Sequence, residues 1–316
     1  MVDVSEEERA RVIAGLSGAD KHVSSKYHYD ERGSRLFEEI TRLDEYYLTR
    51  TERSMLRALM PPLVSELQPA TLVELGAGSA EKSRIILDAM IEMGDRASFV
   101  PIDVSGDFLH QTAASLRAEY ETLDVYPLVV DILDPFHLPE TLPKPRWIAL
   151  LGSTIGNFDE PRAVDLLTHV SAAMSASDRF LLGVDLRAGP GKSIARIEAA
   201  YNDARGVTAQ FSLNLLSVLN DAFGSDFDPE GFRHRSVYSE ELGRIETSLV
   251  SRQDQLVHFP GEAPIPILAG EAIRSEISCK YDRPAVQELF AASGLDVDRW
   301  MTDPDDLYAL VLGRLK

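Results

Sequence analysis

An apolar run (Leu72, Val73, Leu75) breaks at Gly76-Ala77-Gly78, and Ile85, Ile86 and Leu87 then follow on the inner side of a helical pattern. The pattern predicts a buried strand, a tight turn and a helix start, which is where open α/β sheets bind nucleotide-like ligands. Glycine serves in such a turn because a Cβ would forbid the backbone or stand where the ligand must approach. The NAD fingerprint needs a third glycine at position 81, and Glu81 stands there instead. Glu74, in the strand just before the loop, can face a cationic ligand or orient the loop amides. Asp103, at the end of the next apolar run, suits ribose hydroxyls. A plain strand-to-helix turn and an ordinary helix cap would use the same residue types.

The elements that must position these groups read as follows. Ser5 to Glu8 is a capping box opening a helix through Leu16. Residues 26–34 are a polar and aromatic loop, and Leu36, Phe37, Ile40 and Leu43 keep helical spacing. Residues 44–48 form a second aromatic loop, and Thr49 with Glu52 caps a helix carrying Met55, Leu56 and Leu59. Pro61-Pro62 is expected to interrupt that helix. After the glycine loop come strands at 98–104, 125–130, 147–151 and 180–184, with helices at 108–120 and 161–174. Asp103, Asp131, Asp185 and the stretch Gly152 to Asn157 thereby fall at the carboxyl ends of strands. From 185 to 279 the alternation stops: helices at 193–204 and 207–223 lead to strands at 232–239, 244–259 and 272–280. A helix at 284–293 and a strand pair, 296–301 with 308–315, then resume the sheet.

Composition bounds the rest. The chain has 316 residues, 44% of them apolar, enough for one large or two smaller globular domains. The 51 acidic against 32 basic residues give a net charge of −19, which repels phosphate backbones and anionic lipid. No nucleic-acid or membrane role is expected. The single cysteine, Cys279, excludes an intrachain disulfide, and no cationic-then-apolar leader is read at the start; both fit a cytoplasmic protein. The carboxylates of Asp226-Phe227-Asp228-Pro229-Glu230-Gly231 mimic a calcium loop, but Val237 stands where its bidentate Glu belongs. The histidines show no ligand spacing, so no metal is expected.

The stretch Glu74-Leu75-Gly76-Ala77-Gly78 resembles the first motif of class I methyltransferases, which bind S-adenosylmethionine. More specific pieces are Tyr29-Asp30-Glu31-Arg32-Gly33-Ser34, Thr41-Arg42-Leu43, Glu45-Tyr46-Tyr47, Ser79-Ala80-Glu81-Lys82, Gly152-Ser153-Thr154-Ile155-Gly156-Asn157, Tyr201-Asn202-Asp203-Ala204 and Glu276-Ile277-Ser278-Cys279-Lys280. With these, the chain from about Ser24 onward resembles the histidine-specific N-alpha methyltransferases of ergothioneine biosynthesis, which trimethylate histidine's amino group to hercynine. The resemblance implies an α/β fold: a class I methyltransferase (Rossmann-like) doubly wound sheet with a second, smaller α+β lobe. The sheet domain would take residues 55–190 plus 280–316, and a substrate-binding, lid-like lobe residues 1–54 plus 191–279.

It also implies roles. S-adenosylmethionine, as co-substrate, would meet Tyr46, Gly76, Lys82 (its carboxylate), Asp103 (its ribose) and Asp131 (near its adenine). The amino acid would meet Tyr29, Asn157 and Tyr201 at its amino and carboxylate end, with Tyr29 and Asn157 catalytic. Glu276 and Ser278 would hold the imidazole, and Thr247 occupies a position where relatives carry methionine beside the ring. The expected enzyme is a monomer acting on a small-molecule amino-acid substrate. Alternatives remain: a relative methylating another amino acid such as a tryptophan derivative, or a non-catalytic S-adenosylmethionine-binding module. On residue types alone, Glu276 with Ser278 also fits a solvated strand face, Asn157 a helix start, and Cys279 a buried apolar position rather than a nucleophile.

Overall fold

The computed structural model describes residues 5–94 and 96–316. Residues 1–4, which the expected lid-like lobe includes, lie outside them. The chain divides into two units, Met1–Tyr47 with Ala188–Cys279 and Leu48–Arg187 with Lys280–Lys316.

Helices α1 (Glu6–Ser17) and α2 (Glu31–Ile40) belong to the first unit. Ser5 Oγ accepts the Glu8 N–H, as the capping pattern predicts. Residues 26–34, expected as loop, instead form a 3₁₀ turn (Ser25–His28) and the first turn of α2. Asp30 does this: its Oδ1 accepts the Gly33 N–H at 2.6 Å and the Asn214 amide at 2.7 Å. Gly33 is required because a Cβ would collide with the His28 carbonyl.

Helix α3 (Tyr47–Leu67) runs through Pro61 and Pro62 instead of stopping at them. Both prolines are exposed, so the carbonyls they leave unpaired reach water, while Met60, Leu63 and Val64 bury the opposite face. Thr49 and Glu52 do not cap it; α3 already begins at Tyr47, and Glu52 is fully buried. Then follow β1 (Thr71–Leu75), α4 (Glu81–Met93), β2 (Ala97–Asp103), α5 (Gly106–Glu119), β3 (Leu123–Val125), β4 (Leu128–Val129), β5 (Arg146–Leu150), α6 (Glu160–Ala173) and β6 (Arg179–Asp185). The strand expected at 125–130 is split into β3 and β4, because Pro127 between them has no N–H for a ladder. On α4, Ile86 and Leu87 are buried but Ile85 is only partly so.

The first unit continues with α7 (Ile194–Ala199), α8 (Val207–Phe223), β7 (Phe232–Ser239), β8 (Arg244–Ser251), β9 (Gln255–Val257), β10 (Ile265–Ile267) and β11 (Ala272–Cys279). The second closes with α9 (Arg283–Ala292), β12 (Leu295–Thr302) and β13 (Tyr308–Leu315). Two expected elements are shorter than the pattern suggests. Helix α7 stops at Ala199 because Asp203 accepts the Val207 and Thr208 N–H groups and starts α8. The run 244–259 is broken at 252–254, and β9 pairs with β10 rather than prolonging β8.

In the second unit the sheet order is β12-β13-β6-β5-β1-β2-β3, with β4 beside the end of β2. Strands β1 to β6 pair in parallel, and β13 is antiparallel to β6 and β12. Every residue of β1 and β5 is buried, as parallel strands covered on both faces require. Since β1 lies between β2 and β5, the chain reverses its direction of growth there, which opens a crevice at the carboxyl ends of these strands. In the first unit β11, β8 and β7 form an antiparallel sheet with a bulge between Arg274 and Glu276. Its core gathers Leu16, Tyr27, Leu215, Leu219, Phe223 and Phe232.

Candidate active site

In the sheet unit, the glycine loop leaves β1 with Gly76 at φ +69° and Gly78 at φ +50°, both left-handed, and a Cβ on either would meet no atom within 4 Å. The space above the loop is therefore open to a ligand, and the left-handed backbone explains the glycines. The Gly76 and Ala77 N–H groups donate to the Ile102 carbonyl at 2.8 and 3.0 Å, and the Gly78 N–H donates to Asp103 Oδ2 at 3.1 Å. Asp103 Oδ1 accepts the Ser105 N–H at 3.0 Å. Thus the loop amides are held by β2 and Asp103, not by Glu74. Glu74 is buried, takes a hydrogen bond from Ser83 at the start of α4, and is pushed up to about 7, chiefly by burial. It does not face the loop's open side as a free carboxylate.

Asp131 follows β4, which pairs with β2 so that Val129 lies opposite Asp103. Its Oδ1 accepts the Leu133 N–H at 3.0 Å, and the residue is exposed. Gly76, Gly78, Asp103 and Asp131 thus share one sheet edge. Lys82, in the first turn of α4, bonds Glu52 at 2.8 Å. Asn157 ends a 3₁₀ turn (Thr154–Asn157) beyond β5 and is partly buried. It does not start a helix; the N-cap of α6 is Asp159, which accepts the Arg162 N–H. The loop before it is sharply bent, with Gly152 at φ +78° and Ser153 at φ +57°. A non-glycine residue in that region is costly, and Ser153 is held there by the Asp185 N–H donating to its Oγ at 3.0 Å.

The other expected residues lie in the first unit. Glu276 is paired across the sheet with Thr247, and Thr247 with Ser236; Ser278 is paired with Ile245, and Ile245 with Tyr238. Directly opposed residues share a face, so Glu276, Ser278 and Thr247 look the same way. The Tyr201 hydroxyl lies 2.8 Å from Ser278 Oγ. Thr247 is buried, its hydroxyl 2.7 Å from Ser236 Oγ, which in turn is 3.2 Å from His234 Nε2. Cys279, expected to be buried, is half-buried at the end of β11.

Tyr29 keeps 45% of its surface, yet its hydroxyl end sits deep enough that the phenol is pushed above its ordinary range by burial, then by Glu276 and Tyr201 nearby. The ring meets Phe37 and Phe211 edge-on at 5.7 and 5.5 Å, Phe37 meets Tyr46 at 6.2 Å, and Tyr46 meets Tyr201 at 6.4 Å. His28 stacks on Phe211 at 4.8 Å and is lowered to about 4 by burial, so it is neutral. Tyr29, Tyr46, Tyr201, Thr247, Glu276 and Ser278 are therefore brought together in one unit, whereas Asn157 and the glycine-loop residues are grouped in the other.

Sequence reading missed three participants. Phe37 and Phe211 build the aromatic wall, and only their apolar helical spacing marked them. Glu52 is buried at the centre of a polar network; a carboxylate between Leu48 and Met55-Leu56 on an apolar helical stripe is the signal. Among the described residues, no group of three His, Cys, Asp or Glu side chains is arranged to hold a metal ion, and no helix is long and apolar enough to cross a membrane. Asp226 is bonded instead by the His258 N–H, and Asp228 by the Glu230 N–H.

Comparison with known proteins places this geometry. A crystal structure of an S-adenosylmethionine-dependent methyltransferase from Clostridium acetobutylicum superposes with a TM-score of 0.50 at 10% identity, covering 90% of this chain and 98% of that one, and shows the fold. A histidine N-alpha-methyltransferase from Mycobacterium tuberculosis is 38% identical over 96% of this chain and 94% of its own length. Ergothioneine biosynthesis protein 1 of Neurospora crassa is 33% identical over 86% of this chain, which spans 31% of that longer protein. Residues 8–315 match the family described as histidine-specific methyltransferase, SAM-dependent. The chain belongs to that family and is an S-adenosylmethionine-dependent amino-acid N-methyltransferase.

Proposed function

We propose that this enzyme methylates the α-amino nitrogen of L-histidine three times, giving hercynine for ergothioneine biosynthesis. The observation that carries the reading is the convergence of Tyr29, Tyr201 and the strand pair Glu276 and Ser278, from three separate chain segments, with a carboxylate and a hydroxyl on one sheet face. In this reading Gly76, Gly78, Lys82, Asp103 and Asp131 hold S-adenosylmethionine, joined by Tyr46. The open space over two left-handed glycines, beside an ammonium and an acid at a strand end, fits such a ligand. When bound, it supplies an electrophilic methyl group on a sulfonium.

The chain's own residues then position and desolvate. An α-ammonium with a pKa near 8 loses its proton to solvent at about 1.4 kcal/mol per unit of mismatch, so no strong base is needed. Tyr29, raised above its ordinary value, stays a phenol at working pH and offers an oxygen to the amine without taking a proton permanently. Asn157 orients the lone pair through its side-chain carbonyl. As methyl groups accumulate, the nitrogen loses hydrogen bonds and becomes a quaternary cation. The faces of Tyr29, Tyr46 and Tyr201 suit that change, because aromatic quadrupoles attract such cations without needing N–H groups. Orientation of two reactants supplies most of the acceleration in a displacement of this kind, up to ~7–11 kcal/mol.

Mass spectrometry of histidine incubated with protein and S-adenosylmethionine should show three successive methyl additions, with fragmentation placing them on the α-nitrogen. Addition to the ring, or no addition, sinks the proposal. Asn157→Ala should lower turnover roughly tenfold, the worth of one hydrogen bond, while calorimetry finds S-adenosylhomocysteine binding nearly unchanged. An unaltered rate would return Asn157 to a purely structural role in its turn.

A further inference from the structure

Glu52 is a carboxylate with no exposed surface in the interior of the sheet unit. One oxygen accepts the Lys82 ammonium at 2.8 Å; the other accepts the Tyr308 hydroxyl at 2.7 Å. The Gly152 N–H is shared between both oxygens, at 2.7 and 3.0 Å. The surroundings are shaped to admit this group. A Cβ at Gly152 would stand 2.7 Å from Lys82 Nζ, and one at Gly183 would collide with the Glu52 carboxylate and the Tyr308 hydroxyl. Two positions free of side chain thus clear room for one acid and its lysine. A buried charge persists only when paired and fully hydrogen-bonded, and Glu52 meets both conditions.

We propose that Glu52 is a positioning residue for the co-substrate's carboxylate. It fixes the Lys82 ammonium at the carboxyl edge of the sheet and, through Gly152, anchors the loop that ends at Asn157. The inference rests on the reading of Lys82 as the partner of that carboxylate. Glu52 is wholly enclosed, so it acts through Lys82, whose side chain keeps 23% of its surface. An ammonium has three N–H donors; the bond to Glu52 uses one and sets the direction of the others. Lysine's flexible stem otherwise samples many rotamers, and each bound ligand would have to order it anew. A glutamine cannot substitute, since its single acceptor oxygen faces three donors and its NH₂ opposes them.

The test is calorimetry with two probes, S-adenosylhomocysteine and 5′-methylthioadenosine, which lacks the amino-acid carboxylate. Lys82→Ala and Glu52→Gln should each weaken S-adenosylhomocysteine about tenfold, the scale of one charge-assisted hydrogen bond, and leave methylthioadenosine within about twofold. The double variant should bind no worse than Lys82→Ala alone, because both act through one ammonium. Equal weakening of both probes by Glu52→Gln would make its role structural and overturn the proposal. Tighter S-adenosylhomocysteine binding would overturn it too, by showing that relief of negative charge outweighs positioning. If Lys82→Ala itself leaves S-adenosylhomocysteine unchanged, the reading of Lys82 falls and takes the proposal with it, an outcome that variant alone identifies. Tyr308→Phe removes only one hydroxyl from the network and keeps the charge. It should weaken S-adenosylhomocysteine two- to fivefold and spare methylthioadenosine, so the question stays decidable even if Glu52→Gln does not fold.

Discussion

Replacing Glu276 by alanine is expected to raise the Michaelis constant for histidine about ten- to a hundredfold, with little change in affinity for S-adenosylhomocysteine. The magnitude follows from a charge-assisted hydrogen bond, about 1.5–3 kcal/mol. Glu276 shares its sheet face with Ser278 and Thr247, so a ring held by the carboxylate would also meet the Ser278–Tyr201 hydroxyl pair. Truncation removes an anion that an indole cannot partner and frees volume beside it. Tryptophan should therefore become a relatively better substrate, even as histidine becomes a worse one. The measurement is kcat/KM for both amino acids with both proteins. If their ratio does not move toward tryptophan, Glu276 does not read the ring. Thr247 lies on that same face, buried, with its hydroxyl 2.7 Å from Ser236 Oγ.

How much of this was legible depends on the range over which each requirement acts. The glycine loop was readable because its demands are local: left-handed backbone at Gly76 and Gly78 leaves few residue types possible. The alternation of strands and helices was readable for the same reason, since apolar runs and their spacing are properties of neighbouring residues. Proline misled in one place and was overlooked in another. Pro61 and Pro62 sit on the exposed side of α3, where burial of Met60, Leu63 and Val64 outweighs the lost hydrogen bonds, whereas Pro127 does break its strand. Glu52 was misread because its partners are remote in the chain: Gly152 lies 100 residues away and Tyr308 lies 256 away. Local pattern made it a helix cap; only the fold makes it the acceptor of a lysine. The aromatic wall is a similar case, for Phe37 and Phe211 look like ordinary core residues until their rings are seen beside Tyr29.

The opposite end of the sheet should answer to stability and not to catalysis. At the amino end of β5, Arg146 and Asp178 are almost wholly buried and bond through Nε at 3.0 Å and Nη2 at 2.6 Å. Asp178 also accepts the Arg146 and Ser175 N–H groups and the Ser175 hydroxyl. Asp178→Ala leaves the guanidinium buried without its counter-charge, which typically costs about 3–5 kcal/mol. For units of this size that is a fall in melting temperature of roughly 6–20 °C. The direction with pH follows from the acid's own titration. Burial alone would raise the Asp178 pKa, but Arg146 and the surrounding N–H and O–H donors outweigh it and hold the value below the ordinary one. Its contribution is therefore present above the unfolded-state pKa near 3.9 and is lost as pH falls through the lower folded value. The gap between wild type and Asp178→Ala should stay constant from neutral pH down to about pH 5, then narrow in stronger acid. Denaturant melts across that range, paired with the Michaelis constant for histidine at neutral pH, check both halves. A variant with unchanged stability, or one that is stable but has lost its affinity for histidine, would contradict this division between the two ends of the strands.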